Sequence, residues 1–535
     1  MLNGLNIGGL VLLTALVLAA LFLRPAAERP LTGRERALFW VLIALFTALR
    51  LYRFGAVPAG MNQDGAMAAV DALALSQYGT DRFGTWLPAH FTAWGYGQMS
   101  VLLSYCMVPF LRLFGLSPLT ARLPVLLWSL AGMAAAYAFL RESRGERAAL
   151  AGLLFLALDP WHFMQSRWAL DCNLFPHAFL IGFTLLYRGR EKPRALYLSM
   201  VFFALCMYAY GVSFLMVPLF LVLAVYLLRI PFRRVAVCVL LYLGLSWPIY
   251  GTMLINAMGW ETLRLPFVTL PYFPASVRSG DILFFAAHPE AQLMQNLRAL
   301  WNVGFRQGPD LIWNAIDGFG TVYRCSAPLL VYGLFLTLRG AIRDKEDGAR
   351  LLLCYWGCSL LLGLLVSNVN VNRLNILFYA HILLIARGIE GLLAFRRESA
   401  AALLVCYGLL AGLFFTQYFG PWAARMEGVF FRDFLEAASY AGTCGGEQVY
   451  ITPDTQYTGS ANVSEILTLF AQRTDARYFQ SEAYRARYHY QNPDLDALTQ
   501  WDGSAVCVVK RGAPVPEGWD ERDFGSYCVL EKKDK

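Results

Sequence analysis

Charge is what this chain lacks. Asp, Glu, Lys and Arg make up 15% of its 535 residues, whereas soluble domains carry about a quarter charged to cover their surfaces. The shortage excludes a string of ordinary soluble domains. Acids are rarer still within the apolar runs, where Asp159 falls at one end of a run and Glu390 falls near an end beside Arg387. No carboxylate sits mid-run to couple an ion gradient, and neither half of the chain repeats the other, so transport by alternating access lacks its sequence marks. Metal ligands are equally thin. Most of the 11 cysteines lie inside apolar runs as small hydrophobes. Cys354 and Cys358 share a helix face, yet no His or further Cys completes a set. Cys444, Cys507 and Cys528 lie in the C-terminal tail, where two could pair in an oxidising exterior.

What the chain has is grease. Hydrophobic residues reach 57%, with 37 Phe, 27 Tyr and 14 Trp and a mean hydropathy of +0.46, which excludes disorder and reads as a polytopic membrane protein. The net charge of +8 is spread through short loops rather than gathered into a patch, so it marks topology rather than nucleic-acid binding. A helix needs about 20 apolar residues to span a bilayer core. Twelve such runs occur, near 5–23, 37–55, 119–140, 147–163, 172–187, 195–211, 213–228, 235–255, 327–339, 350–367, 374–394 and 399–419, several short or interrupted by Pro, as at Pro160 and Pro248.

The segment 98–115 is also apolar, and counting it as a span would invert every later loop. Kept on one side as an interfacial helix, it leaves 21 Lys and Arg in one set of loops, against Arg167 and Arg373 alone in the opposite short loops 164–171 and 368–373. Basic residues are retained in the cytoplasm. Both termini, the large loops 56–118 and 256–326 and the tail from 420 are therefore expected outside. The first run has RPAAERPLTGRER after it and no basic residue before it, the reverse of a cleaved signal, so a retained helix is expected. Three parts follow: an added helix and loop over 1–36, a helical membrane domain over 37–419 and an external α/β domain over 420–535. In the last, EQVYITPD, SAVCVVKR and SYCVLEKK read as strands, and FRDFLEAASYAG and VSEILTLFAQR as helices.

Polar chemistry gathers on the side with little basic charge. Asp64 follows a span and opens the helical pattern AMAAVDALALSQYG, expected along the membrane surface. There a carboxylate can take the proton of a hydroxyl attacking a sugar, or simply cap a helix. Asp71 on the same helix suits a solvated or paired role, and Asp81 in YGTDRFGTWLP a turn. Asp171 starts a helix beside Asn173, where it can shape a site or cap the helix next to Arg167. Arg373 in VNVNRLN, flanked by Asn372, breaks the charge pattern. A fixed guanidinium there suits a phosphate, or snorkels or meets an acid. Arg50 and Arg53, at the outer end of their helix, are further phosphate ligands or orient Asp64. His162 and His177 read as structural, while His90 and His288 form at best a weak zinc pair.

The run QDGAMAAVDALALSQYGTDRFGTWLP, followed by YGQMSVLLSYCMVPFLRLFGLSPLTARLPVLL, resembles the first external loop and next helix of GT-C membrane glycosyltransferases. The nearest types are family 39 enzymes, the protein O-mannosyltransferases and lipid A aminoarabinose transferases. Asp64, Gly79, Gly84, Pro88, Phe114, Gly115, Ser117 and Arg122 occupy the family's positions, while Gly65 stands where many members carry Glu. LDPWHFMQSRWALDCNLFPHAFL is similar to the second acidic loop of that fold. The resemblance implies an all-α polytopic GT-C fold and a hexosyl- or pentosyltransferase in a bacterial plasma membrane. Its donor would be a polyprenyl-phosphate sugar and its acceptor a lipid, glycan or protein; no nucleic acid takes part. It further implies Asp64 as base in an inverting displacement, Asp171 near the acceptor or a metal, an Arg such as Arg373 on the donor phosphate, and a lid in loop 256–326. No cofactor is fixed, and a divalent metal is left open. The alternatives are a lipid or polysaccharide flippase or transporter, and a noncatalytic membrane scaffold.

Overall fold

The computed structural model describes residues 1–23, 30–94, 97–274, 282–308, 310–396, 398–455 and 459–532. Arg24, Arg29 and Arg397 of the basic set lie outside the described residues.

A helix stands at each of the twelve expected places. First come α1 (Leu2–Phe22) and α2 (Gly33–Ala48). The first large loop then holds α3 (Gln63–Tyr78) and α4 (Leu102–Phe114). The bundle continues with α5 (Pro118–Arg144), α6 (Glu146–Leu158), the short α7 (Pro160–Gln165), α8 (Leu174–Gly189), α9 (Pro193–Ala209), α10 (Ser213–Leu227) and α11 (Phe232–Met258). After α12 (Pro289–Leu300) in the second large loop come α13 (Ala327–Ile342), α14 (Asp347–Leu365), α15 (Asn375–Phe395) and α16 (Ser399–Gln417). Among the described residues, seven helices are long and apolar enough to cross a membrane, namely α1, α5, α11, α14, α15, and α13 and α16 with their adjoining turns. The protein is an integral multi-pass membrane protein.

The breaks have local causes. The run 147–163 splits because Asp159 accepts the His162 N–H at 2.9 Å as an N-cap and Pro160 takes the first helical position. Pro248, by contrast, does not end its run, and α11 continues ten residues past it to Met258. At 13 residues, α4 rises only about 20 Å, short of a bilayer core of about 30 Å.

The bundle centres on α15, which is buried without interruption from Asn375 to Ala386. It meets α13 at very close range. A Cβ added at Gly333 would sit 1.8 Å from the Leu384 carbonyl oxygen, and one at Gly388 would sit 2.3 Å from that of Leu329. Helices inside membranes gain contact by such small-residue crossings, since lipid tails give no hydrophobic drive between them.

Beyond α16 the chain passes through α17 (Ala423–Val429) into an α/β unit. Its helices α18 (Arg432–Ala441) and α19 (Ala461–Gln472) accompany a five-stranded sheet. The two earlier hairpins are β1 (Phe91–Thr92) with β2 (Gln98–Met99), and β3 (Leu263–Leu265) with β4 (Val268–Leu270). The sheet holds β5 (Gln448–Ile451), β6 (Tyr488–His489), β7 (Ala505–Lys510), β8 (Asp520–Phe524) and β9 (Tyr527–Lys532) in the order β6-β5-β7-β9-β8. Three of these strands match the sequence expectation; β6 and β8 are too short or too charged to declare themselves. The expected disulfide is not formed. Cys444, Cys507 and Cys528 are free thiols, and Cys507 faces Leu530 while Cys528 faces Val509 across the strand pair.

The surface helix is also corrected. Rather than presenting a free face, α3 is clasped between α4 and α19, with every residue from Gly65 to Ala72 buried. Its alanines are small enough to be packed on both sides.

Candidate functional site

Asp64 is held in place by main chain that arginines gather up. The segment 49–60 joins α2 to α3 as a run of turns, so its carbonyls have no regular ladder to satisfy them. Arg167, fully buried, donates to the carbonyls of Leu49, Arg50, Tyr52 and Val57 and to the Tyr418 hydroxyl. Arg122, equally buried, donates to those of Gly55, Pro58 and Gly60 at 2.6–3.0 Å. Two planar forks thus organise seven carbonyls within twelve residues, a task that suits guanidinium and not ammonium. The Met61 N–H then donates to the Phe430 carbonyl at 2.7 Å, tying the segment to the chain after α17.

From that anchor Asp64 enters the first turn of α3, where a carboxylate suits the helix dipole. The N-cap is Asn62, not Asp64. The Trp94 indole N–H donates to Asp64 Oδ1 at 2.7 Å and fixes the half-buried carboxylate. Sequence reasoning missed Trp94, whose only signal was an aromatic in the same loop.

Asp171 lies close by. It starts a single 3-10 turn through Asn173, is 9% exposed, and accepts the Cys172 N–H at 2.7 Å. The Asp171 and Asp64 carboxylates both fall within electrostatic reach of the Cys172 thiol, and α3 packs on this turn. The packing is tight at Gly65, where a Cβ would lie 2.5 Å from the Ala169 carbonyl oxygen. That contact is a physical reason for Gly at a position where Glu was the family alternative. Arg167 is not the partner that neutralises Asp171, because its five N–H groups go to Tyr418 and the four carbonyls.

The loop before α15 reaches the same turn. Asn375 donates to the Cys172 carbonyl at 2.5 Å, two residues from Arg373. Arg373, half-buried, donates to the Ser367 carbonyl at 2.6 Å and takes Asn370 Oδ1 at its backbone N–H. Asn372 accepts from Asn314 at 2.8 Å, and Asp310 accepts the Val371 N–H at 2.6 Å. Asp310 was missed in the sequence; its Gly-Pro-Asp turn was the available signal.

Other expected residues go elsewhere. Arg50, expected at a phosphate, is fully buried and turned into the bundle, donating to the Phe46, Leu156 and Ala157 carbonyls and sharing a 2.9 Å contact with His162 Nδ1. Its length lets it reach the carbonyls left open by the break at Asp159, so it serves the fold. Arg53 is exposed on the following turn. His162 and His177 both contact the Tyr379 hydroxyl, at 3.0 and 2.8 Å, a structural network. His90 is buried against Phe214, whereas His288 is exposed at the start of α12. Among the described residues, no group of three or more His, Cys, Asp and Glu could hold a metal ion.

The two large loops support each other. Leu87 and Ala89 exchange hydrogen bonds with Thr269, and Trp86 donates to the Pro266 carbonyl at 3.0 Å. Midway along α3, Asp71 is paired and not solvated. Arg82 meets its carboxylate at 2.6 Å with both side chains buried. Burial pushes the Asp71 carboxyl up to about 7, against the pull of Arg82. Asp81 takes the Phe83 and Thr85 N–H groups, the expected turn role.

Comparison with known proteins agrees with this architecture. Residues 98–250 match the family model described as dolichyl-phosphate-mannose-protein mannosyltransferase. No curated protein matches the chain in sequence. Among solved structures, ArnT from Cupriavidus metallidurans in the apo state is similar at TM-score 0.55 and 16% identity, over 93% of this chain and 98% of that one. The same protein bound to undecaprenyl phosphate gives 0.57 and 14%, over 94% and 98%. The fold is of the GT-C type, resembling family 39 glycosyltransferases.

Proposed function

We propose that this protein is a membrane glycosyltransferase that moves a sugar from a polyprenyl-phosphate donor to an acceptor hydroxyl on the outer face of the membrane. The observation that carries the reading is the meeting of three segments at one turn: Asp64 on α3, Asp171 beside Cys172, and the Arg373 loop through Asn375. A relative in fold, ArnT, is described as bound to undecaprenyl phosphate, which supports a lipid-phosphate donor. The arginine-rich loop ends, placed in the cytoplasm by the positive-inside rule, put the Asp64 end outside.

In this reading Asp64, oriented by Trp94, accepts the acceptor hydroxyl proton as the oxygen attacks the anomeric carbon. The bond from that carbon to the phosphate oxygen breaks, and polyprenyl phosphate departs with its electrons. Arg373 offsets the charge developing on the phosphate, and Arg53, exposed on the turn before α3, is the second cation offered to it. Asp171 shapes the acceptor side. One displacement inverts the anomeric centre. Asp64 and Asp171 are the carboxylates that could hold a divalent cation here, completed by donor phosphate oxygens and water, and such an ion would offset charge on the phosphate.

The test uses purified protein in lipid nanodiscs with a polyprenyl-phosphate sugar. Asp64→Asn is expected to lower transfer at least about a hundredfold, the lower end of the range for a lost general base, with an unchanged melting curve. Wild-type turnover by that variant would refute the assignment. Arg373→Ala is expected mainly to raise the donor concentration needed for half-maximal rate.

A further inference from the structure

A second cleft, of about 370 Å³, lies between the loop after α3 and the C-terminal α/β unit. Three tyrosines, Tyr484, Tyr488 and Tyr490, join Phe83 and Phe479 in its wall. Tyr484 and Tyr488 stack at 4.5 Å with planes 16° apart, and the Tyr484 and Tyr490 hydroxyls meet at 2.5 Å. Three planar polar groups, from Glu465, Gln480 and Arg485, line the same cleft.

The cleft is built rather than incidental. Phe83 leaves 47% of its surface exposed, yet it is not loose. The Arg82 guanidinium lies 4.4 Å from its ring centre, and Arg82 is itself locked by Asp71 and by the Thr92 carbonyl at 2.7 Å. The opposite wall is fixed to the first by Gln480, which donates to the Arg82 carbonyl at 3.0 Å, and by the Tyr78 hydroxyl, which donates to Asp475 at 2.5 Å. Glu465 makes no hydrogen bond or ion pair among the described residues, although burial pushes its carboxyl up against the pull of Arg82. A half-buried carboxylate in that position is stabilised by a ligand that donates hydrogen bonds.

Aromatic faces attract the polarised C–H groups on the flat side of a sugar ring, while the ring's edge of hydroxyls needs planar donors and acceptors. The cleft offers both, with Phe83 as its most exposed ring beside Glu465, Gln480 and Arg485, while Tyr484 and Tyr488 are buried behind as its floor. A lipid tail would leave Glu465 and Arg485 unanswered.

We infer that the cleft between Phe83 and Tyr484 is a saccharide-binding site that holds the acceptor at a distance from the reacting end. It rests on the transferase reading for its role, though not for its binding. Asp64 and Tyr78 are fourteen residues apart on α3, roughly 21 Å along the axis at about 1.5 Å per residue. A ligand bridging cleft and Asp64 is therefore an extended oligosaccharide, not a single sugar.

The full chain in nanodiscs is probed with an array of defined neutral, amino and acidic oligosaccharides, and the best binder is titrated by calorimetry. Wild type is expected to bind at least one. Phe83→Ala and Glu465→Gln are each expected to weaken it about two- to tenfold, the worth of one aromatic or hydrogen-bond contact, with melting curves unmoved. Glu146→Gln, in the exposed ion pair with Arg36 far from the cleft, is expected to bind like wild type. Absence of any bound oligosaccharide, or binding untouched by both cleft variants, overturns the site. Failure of the transferase reading is separate and shows as turnover by Asp64→Asn.

Discussion

Arginine does different work at the two ends of this bundle. At the end away from Asp64, Arg36 meets Glu146 at 2.7 Å, Arg144 meets Glu346 and Glu390 at 2.7 and 3.2 Å, and Arg188 meets Glu142 at 2.5 Å. Those pairs are at least partly solvated. At the Asp64 end, Arg50, Arg122 and Arg167 are fully buried and donate mainly to main-chain carbonyls. The first group forms partly solvated ion pairs that tolerate imprecise geometry. The second replaces secondary structure in a stretch that has none, and every atom matters there, because a buried carbonyl without a donor is costly. Conformational precision near Asp64 is thus supplied from behind, by side chains that need not touch a substrate.

The sharpest way to break that contrast is Arg167→Lys. Charge is kept, but an ammonium cannot serve five acceptors spread over segment 49–57 and Tyr418, and removing such a buried partner costs about 3–5 kcal/mol. Loss of monodisperse protein on size exclusion, or a collapsed melting transition, is expected, whereas a melting curve like wild type would show the carbonyl cradle to be dispensable.

The next effect concerns the missing Glu. Gly65→Glu would restore the family's acidic pair on paper, yet its Cβ would press on the Ala169 carbonyl at 2.5 Å. Overpacking of this sort costs about 1–3 kcal/mol, so lower stability together with lower transfer is expected. Higher transfer at unchanged stability would mean that a carboxylate pair fits after all.

These contrasts mark what a sequence can disclose. Helix positions were legible because each span carries its own apolar run, and hydropathy is local. Arg167 stood out as a cation on the wrong side, but its meaning was not legible. Whether a guanidinium faces a phosphate or seven carbonyls shared with Arg122 depends on contacts 62 to 118 residues apart. Arg50 was misplaced for the same reason, and α3 was given a free face because its small alanine face gives no sign that α19, some four hundred residues later, covers it. Asp64 was singled out through the resemblance; Trp94, Asp310 and the Phe83 cleft were not, since each stands out only through a partner supplied by the fold.

The smallest expected effect lies at the opposite end. Arg36 and Glu146 are 46% and 37% exposed as side chains, and an exposed pair of this kind is worth about 0–1 kcal/mol. Glu146→Gln should leave melting within about one degree of wild type at ordinary salt. Its attraction is screened by ions, so any difference should vanish in high salt. A large drop in melting, persisting at high salt, would mean that the arginine-rich end is as tightly engineered as the cradle behind Asp64. The division of labour between the two ends would then fall.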